Sequence, residues 1–194
     1  TINRPQKHNA ISLATLSELE QALDKSANDD DVKVIAFTGE GEKAFAAGSD
    51  LSEVKDRGLK KALEPIIQGL ADKMEKTPNP IIAAINGICM GGGLEIALGC
   101  DLRIASENAK FVTAFSKIAF SGDFGGSFFL TKIIGTSKAR ELFYFSDMVD
   151  AKKASDLGII NHLVDSKDLS TYTENLKNKF QNLPPICLLY TSDA

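Results

Sequence analysis

The chain has 194 residues, 43% of them hydrophobic and 25% charged, with a formal net charge of -4. That length holds one domain with a real core and leaves two cramped, and the acidic balance gives no basic footprint for nucleic acid. No apolar run is long enough to cross a bilayer and the N-terminus is not a signal peptide, so a soluble protein of the cytoplasm or of an organelle matrix is expected, without a membrane partner.

Residues 1–5, Thr-Ile-Asn-Arg-Pro, read as the end of a strand entering a turn, with the first half of that strand missing. Ser12 is placed to cap a helix whose apolar face is Leu13, Leu16, Leu19, Ala22 and Leu23. The acidic run Asn28-Asp29-Asp30-Asp31 reads as a solvated turn rather than a metal site. Residues 32–38 are rich in β-formers and predict a largely buried strand, followed by a polar loop over 39–43. Phe45-Ala46-Ala47-Gly48-Ser49-Asp50-Leu51 then brings small residues to a strand end ahead of a helix, with Asp50 as its candidate cap. Leu63, Ile66, Ile67, Leu70, Ala71 and Met74 recur at helical spacing until Thr77-Pro78-Asn79-Pro80 stops the pattern.

Residues 80–101 join an apolar run containing Ile81, Ile82 and Ile85 to the glycines 91–93 and then to a short apolar helix carrying Glu95. The glycines let the backbone turn tightly and approach a ligand, and free N–H groups at a helix start favour a phosphate, a carboxylate or a polarised carbonyl oxygen. A turn needed only for close strand-helix packing is the competing reading. The stretch lacks both the Gly-Lys-Ser/Thr of a phosphate loop and the spacing of a dinucleotide fingerprint. Glu95 follows Gly92 by three residues and so faces about the same side of the helix start, which suggests proton transfer beside a carbonyl.

Strands follow at 102–105 and 111–113. Asp123 then stands among glycines and phenylalanines, either as a turn cap or as a buried acid of raised pKa. Helices are predicted over 127–134, 138–145 and 152–157, the last ended by Gly158, then a strand over 159–164 and a helix over 168–181. Strands alternating with helices predict an α/β domain with parallel pairings. Cys89, Cys100 and Cys187 lack metal-ligand spacing and read as buried reduced thiols; with His8 and His162 the only histidines, no metal site is expected.

From residue 3 to about 184 the chain resembles the crotonase superfamily, the enoyl-CoA hydratase/isomerase fold. The motifs that carry this stand in order: Asn3-Arg4-Pro5 with Asn9-Ala10, the stretch 45–51, Ile82-Ala83-Ala84-Ile85-Asn86-Gly87 leading to Gly91-Gly92-Gly93-Leu94-Glu95 and Cys100-Asp101, then Gly125-Gly126 and residues 151–158. The resemblance implies a ClpP/crotonase-like spiral of ββα units, homotrimers that often pair into hexamers, and an acyl-CoA thioester substrate, with coenzyme A as part of that substrate and no permanent cofactor. It places the two oxyanion N–H groups on Ser49 and Gly92, and contacts to the CoA thioester along Ala47, Gly48, Ser49, Asp50, Leu51, Gly91 and Gly92. Lys7 and Arg4 are candidates for the CoA phosphates.

Hydratases of the family use two glutamates. Glu95 matches the first; Phe115 stands at the second and cannot transfer a proton. Asp123 falls where isomerases of the family carry a functional aspartate, and Ala114-Phe115-Ser116-Lys117-Ile118 with Gly122-Asp123 looks like that branch, including enzymes of phenylacetate-derived thioesters. Asp123 and Glu95 are therefore the expected catalytic pair, with Phe115 and Phe120 as pocket wall and Ser116 and Lys117 as surface or wall residues. Two-glutamate hydration and an inactive or RNA-binding scaffold are the alternatives, the second opposed by the acidic balance; a serine hydrolase would need a nucleophile elbow near His8 or His162. The acyl-CoA-binding core is expected to span 1–185, cut at both ends, with 186–194 an unaligned and foreign tail.

Overall fold

The computed structural model describes residues 1–53, 65–119 and 125–183. Helix α1 (Leu13–Ala27) opens on Ser12, whose side chain accepts from Thr15 N–H at 3.1 Å, while Leu13 N–H is bound by the Glu53 carboxylate at 3.0 Å. Two orphan donors of the first turn are thereby satisfied. Leu16 and Leu23 are buried, with Leu13 and Leu19 against the same core. Ala22, expected on that face, is exposed.

Eight strands form two four-stranded sheets among the described residues. They are β1 (Ile35–Thr38), β2 (Ala44–Ala46), β3 (Ile81–Ile85), β4 (Ile88–Met90), β5 (Leu102–Ser106), β6 (Lys110–Val112), β7 (Val149–Asp150) and β8 (His162–Val164). One sheet has the order β1-β3-β5-β8, the other β2-β4-β6-β7, and every pairing but β6 with β7 is parallel. Successive strands thus enter different sheets, β1 then β2, β3 then β4, β5 then β6, as a spiral of ββα units requires. The corners are tied by side chains. Asn86 Nδ2 donates to Gly39 O at 2.8 Å, and Gly87 lies so close to the start of β2 that a Cβ there would stand 2.8 Å from Ala44 N.

The remaining helices are α2 (Pro65–Lys76), α3 (Gly92–Leu98), α4 (Gly126–Ile134), α5 (Thr136–Phe145), α6 (Ala151–Asp156) and α7 (Leu169–Gln181). All of β3 is buried, because its two faces serve two cores. Ile81, Ala83 and Ile85 face the main core with Phe45, Phe111, Leu70 and Ile96, whereas Ile82 and Ala84 join Ile104 and Leu169 under α7. Alternation along the strand makes that division. Cys89 and Cys100 are buried free thiols, and burial pushes both far above the ordinary thiol pKa. Among the described residues no helix is long and apolar enough to cross a membrane.

The structure departs from the predicted elements in several places, and the strand expected over 159–164 is confined to His162–Val164. The strand expected over 32–38 begins only at Ile35 and buries only Phe37, because Val32 N–H closes a turn onto Asp29 O and β1 is an edge strand. The apolar run before the glycines is two strands, β3 and β4, one in each sheet. The two-residue β7, antiparallel to β6, had no counterpart in the sequence reading. Leu63 and the tail over 186–194 lie outside the described residues.

Candidate active site

The site forms where β2 and β4, hydrogen-bonded neighbours in the same sheet, both end. After β2 the chain runs through Ala47 to Asp50 and is held from behind by the N-terminal segment. Ala47 N–H donates to His8 O at 3.1 Å, Ile11 N–H to Gly48 O at 2.8 Å and Asp50 N–H to Ile11 O at 2.8 Å. Asn9, buried in a left-handed conformation, locks this segment by accepting from Arg4 N–H at 3.0 Å and donating to Ala44 O at 2.7 Å and Glu40 O at 3.1 Å. Asparagine tolerates that backbone region better than most residues.

After β4, Gly91 N–H donates to Val112 O at 2.9 Å, and Gly91 turns at φ +52° into α3, where no side chain caps the first turn. Gly48 turns at φ +89°. The two turns touch: a Cβ built on Gly48 would lie 3.7 Å from Gly92 N, and one on Gly91 would lie 3.9 Å from Gly48 Cα. A Cβ at these distances would make ordinary contact, so it is the positive φ of both turns that selects glycine. Among the described residues, neither Ser49 N–H nor Gly92 N–H has a backbone acceptor, although the N–H groups of Ala47, Asp50, Gly91 and Glu95 all have one. Both candidate donors thus stand on adjoining turns.

Asp50 fixes this corner. Its carboxylate takes Arg4 Nη2 at 2.9 Å, Ser52 Oγ at 2.6 Å and Ser52 N–H at 3.2 Å. The Ser52 and Arg4 bonds hold its pKa at about 2, against 3.8 ordinarily. Arg4 also donates to Ala10 O at 2.6 Å. The guanidinium, a candidate for CoA phosphates, thus makes two bonds inside the fold, and Arg4 clamps residues 47–50. Lys7 is exposed. Leu51, expected at the CoA end, is 61% exposed beside this corner.

Glu95 lies on α3 and is 2% exposed. Its carboxylate packs on the first residue of α4. A Cβ on Gly126 would stand 2.8 Å from Glu95 Cδ and closer still to Cγ, so a larger residue there would displace the Glu95 side chain. Gly125 before it turns at φ +78°, and Phe129 of α4 crosses it. Phe115 begins a 3-10 turn, Phe115–Ile118, between Ala114 and Ala119, both in left-handed conformation. Its ring is stacked on Phe143 of α5, centroids 6.4 Å apart, and its tip reaches to 3.9 Å from the position a Cβ would take on Gly91. Phe115 is 8% exposed, and its ring lies beside the glycine turn. Asp123 and Phe120 lie outside the described residues.

Among the described residues the buried carboxylates are Asp50 and Glu95, and Asp50 is committed to Arg4 and Ser52. No group of three or more His, Cys, Asp or Glu is arranged to hold a metal among them. Sequence reasoning gave no role to Asn9, although Asn9-Ala10 stood in the motif. A polar residue between two apolar segments reads the same whether its amide is solvated or bound to three backbone groups.

The chain matches the family described as Enoyl-CoA hydratase/isomerase over residues 1–192. It is 34% identical over its whole length to the short-chain-enoyl-CoA hydratase of Clostridium acetobutylicum, covering 75% of that protein. It is 34% identical to the 1,2-epoxyphenylacetyl-CoA isomerase of Escherichia coli over 73% of this chain and 56% of that one. The crystal structure of an enoyl-CoA hydratase from Bacillus anthracis superposes with TM-score 0.93 at 33% identity, covering 98% of this chain and 74% of that one. The chain thus spans between just over half and three quarters of the length of these relatives.

Proposed function

The chain belongs to the enoyl-CoA hydratase/isomerase family, and on that premise we propose that it moves a carbon-carbon double bond within an acyl-CoA thioester by proton transfer. Ser49 and Gly92 N–H groups receive the thioester oxygen. A carboxylate takes the proton from the carbon beside the carbonyl, the negative charge spreads onto the oxygen, and the proton returns at the far end of the conjugated system. No atom is gained or lost. Each preorganised donor aimed at such an oxygen typically contributes about 3 kcal/mol of transition-state stabilisation.

The observation that carries this reading is Phe115. Adding water needs one group to orient the water and another to handle the second proton. Beside the Gly91 turn stands an aromatic ring, and among the described residues the buried carboxylate besides Asp50 is that of Glu95 in α3. Asp123 is the proposed base: it precedes by three residues the Gly126 on which Glu95 packs. Glu95 acts as its partner acid or shapes the pocket. The relative named an epoxyphenylacetyl-CoA isomerase is consistent with chemistry other than hydration on this framework.

Hydration of a 2-enoyl-CoA is the second reading, favoured by the full-length similarity to a protein named a hydratase. Offering 2-enoyl-CoA and 3-enoyl-CoA separately, while following thioester absorbance and 3-hydroxyacyl-CoA, distinguishes them. Isomerisation of the 3-enoyl substrate should dominate and Asp123→Asn should abolish it. Hydration far outpacing isomerisation would sink the proposal, and an unchanged rate in Asp123→Asn would remove Asp123 from the site. Homotrimeric or hexameric assembly belongs to the same proposal.

A further inference from the structure

Three hydroxyls away from the glycine turns form a continuous chain. Ser116 Oγ donates to Ser146 Oγ at 2.8 Å, Ser146 Oγ lies 3.0 Å from Thr113 Oγ1, and Thr113 Oγ1 donates to Leu142 O at 2.8 Å. The proton order follows from the ends. Thr113 spends its only hydrogen on Leu142 O, so Ser146 must donate to Thr113, and Ser146 is left free to accept from Ser116. Every hydroxyl donates once, all in one direction. Thr113 and Ser146 are buried, the latter fully. Ser146 also sits at φ +47°, a left-handed position that ordinarily selects glycine or asparagine, and its N–H closes α5 on Leu142 O at 2.9 Å.

The chain joins three elements: the residue after β6, the 3-10 turn and the C-terminus of α5. Phe115 lies between the two bonded positions, 113 and 116, and its ring stacks on Phe143, three residues before Ser146. We propose that Thr113, Ser146 and Ser116 are positioning residues that hold Phe115 against the Gly91 turn, and that Phe115 so held keeps water from the proton being moved. The inference rests on the isomerase reading for its second half only. A dry wall retains the abstracted proton for return to the same molecule; a loose one lets it exchange with solvent.

Thr113→Val keeps the shape of the side chain and removes the hydroxyl that links Ser146 to Leu142 O, whereas Thr113→Ser keeps the hydroxyl. Turnover of 3-enoyl-CoA in D2O, read by mass spectrometry of the product, should show deuterium incorporation raised severalfold in Thr113→Val, with kcat lowered about tenfold and KM nearly unchanged. Thr113→Ser should follow the wild type. Equal behaviour of the two variants, or a lower kcat with unaltered deuterium content, would overturn the proposal. Should Thr113→Val fold poorly, Ser116→Ala at the exposed end of the chain should shift deuterium content in the same direction, and its failure to do so counts equally against the proposal. The positioning itself has a readout without turnover. Crystal structures should show the contact of Phe115 with the Gly91 turn lost in Thr113→Val and kept in Thr113→Ser, and a Phe115 that stays in place in Thr113→Val refutes it. If the wild type only hydrates, the isomerase reading fails alone and this structural comparison still decides the role of the hydroxyls.

Discussion

Asp50 shows how one carboxylate without a chemical duty can set the order of a site. Its pKa of about 2, depressed from 3.8, means that the folded state binds the proton less readily than the unfolded chain does. Stability from this group is complete above the unfolded value and is lost as the pH falls through the folded one, so the window runs from about pH 4 down to about pH 2, and the depression corresponds to about 2 kcal/mol. Wild type and Asp50→Asn, compared by urea unfolding, should differ most near neutral pH and converge across that window. Parallel pH profiles would show that the Arg4 and Ser52 bonds do not depress this carboxyl. Gly126 makes a different kind of test. Gly126→Ala puts a methyl where the Glu95 side chain lies, so the carboxylate must shift, and activity should fall more than tenfold while circular dichroism stays native. Phe115 stood out in the sequence because a ring in place of a carboxylate is a change of residue type. The Thr113, Ser146 and Ser116 chain did not: it spans 33 residues between Thr113 and Ser146, and hydroxyls carry no periodic signal.

At the scale of elements, long periodic segments were read correctly, and so were short ones such as β5, β6 and α6, whereas β4 and β7 were not seen. Helix α1 has 15 residues, a capping serine and leucines on one face, and all three signals are local. Strands β4 and β7 have three and two residues, too few for alternation to show, and they exist because neighbouring strands supply their hydrogen bonds. The split of residues 81–90 into β3 and β4 is likewise a tertiary fact, enforced at the corner where Asn86 binds Gly39 and Gly87 leaves no room beside Ala44. The same closeness recurs where α3 leaves β4. A Cβ on Gly93 would overlap Ala46 O and stand 2.7 Å from Ala46 Cβ, so helix and strand meet backbone to backbone. Gly93→Ala should therefore destabilise by about 3 kcal/mol, as overpacking against an immovable partner does, and spread the two donor turns. Thermal unfolding gives the first effect. A melting temperature within a degree or two of wild type would mean that β2 yields more easily than its full burial implies.

For the whole molecule, α/β class and parallel pairing followed from the order of elements, whereas the assignment of successive strands to alternate sheets needed the corners. The resulting stack puts its cores between and behind the sheets and leaves a different surface along the paired helices α4 and α5. Tyr144 and Phe145 there are 68% and 63% exposed, with Phe128 and Met148 also exposed, although α5 buries Ala139 and packs Phe143 on Phe115. Large apolar side chains grouped along neighbouring elements are the composition of a surface that meets another protein. Assembly into trimers, which the family resemblance implies, would cover such a surface, and it would do so at the helix end where Ser146 enters the hydroxyl chain. Replacing Tyr144 and Phe145 together with aspartate places two charges where burial would be required, at a cost no small interface overcomes. Sedimentation velocity should then show the assembled mass fall to that of one chain of 20.9 kDa with the fold intact by circular dichroism. Because the same helix end anchors the Phe115 wall, dissociation should also raise deuterium incorporation during turnover. A variant that keeps the wild-type mass would exclude this surface from assembly, and one that dissociates with unaltered deuterium content would separate the assembly from the order of the site.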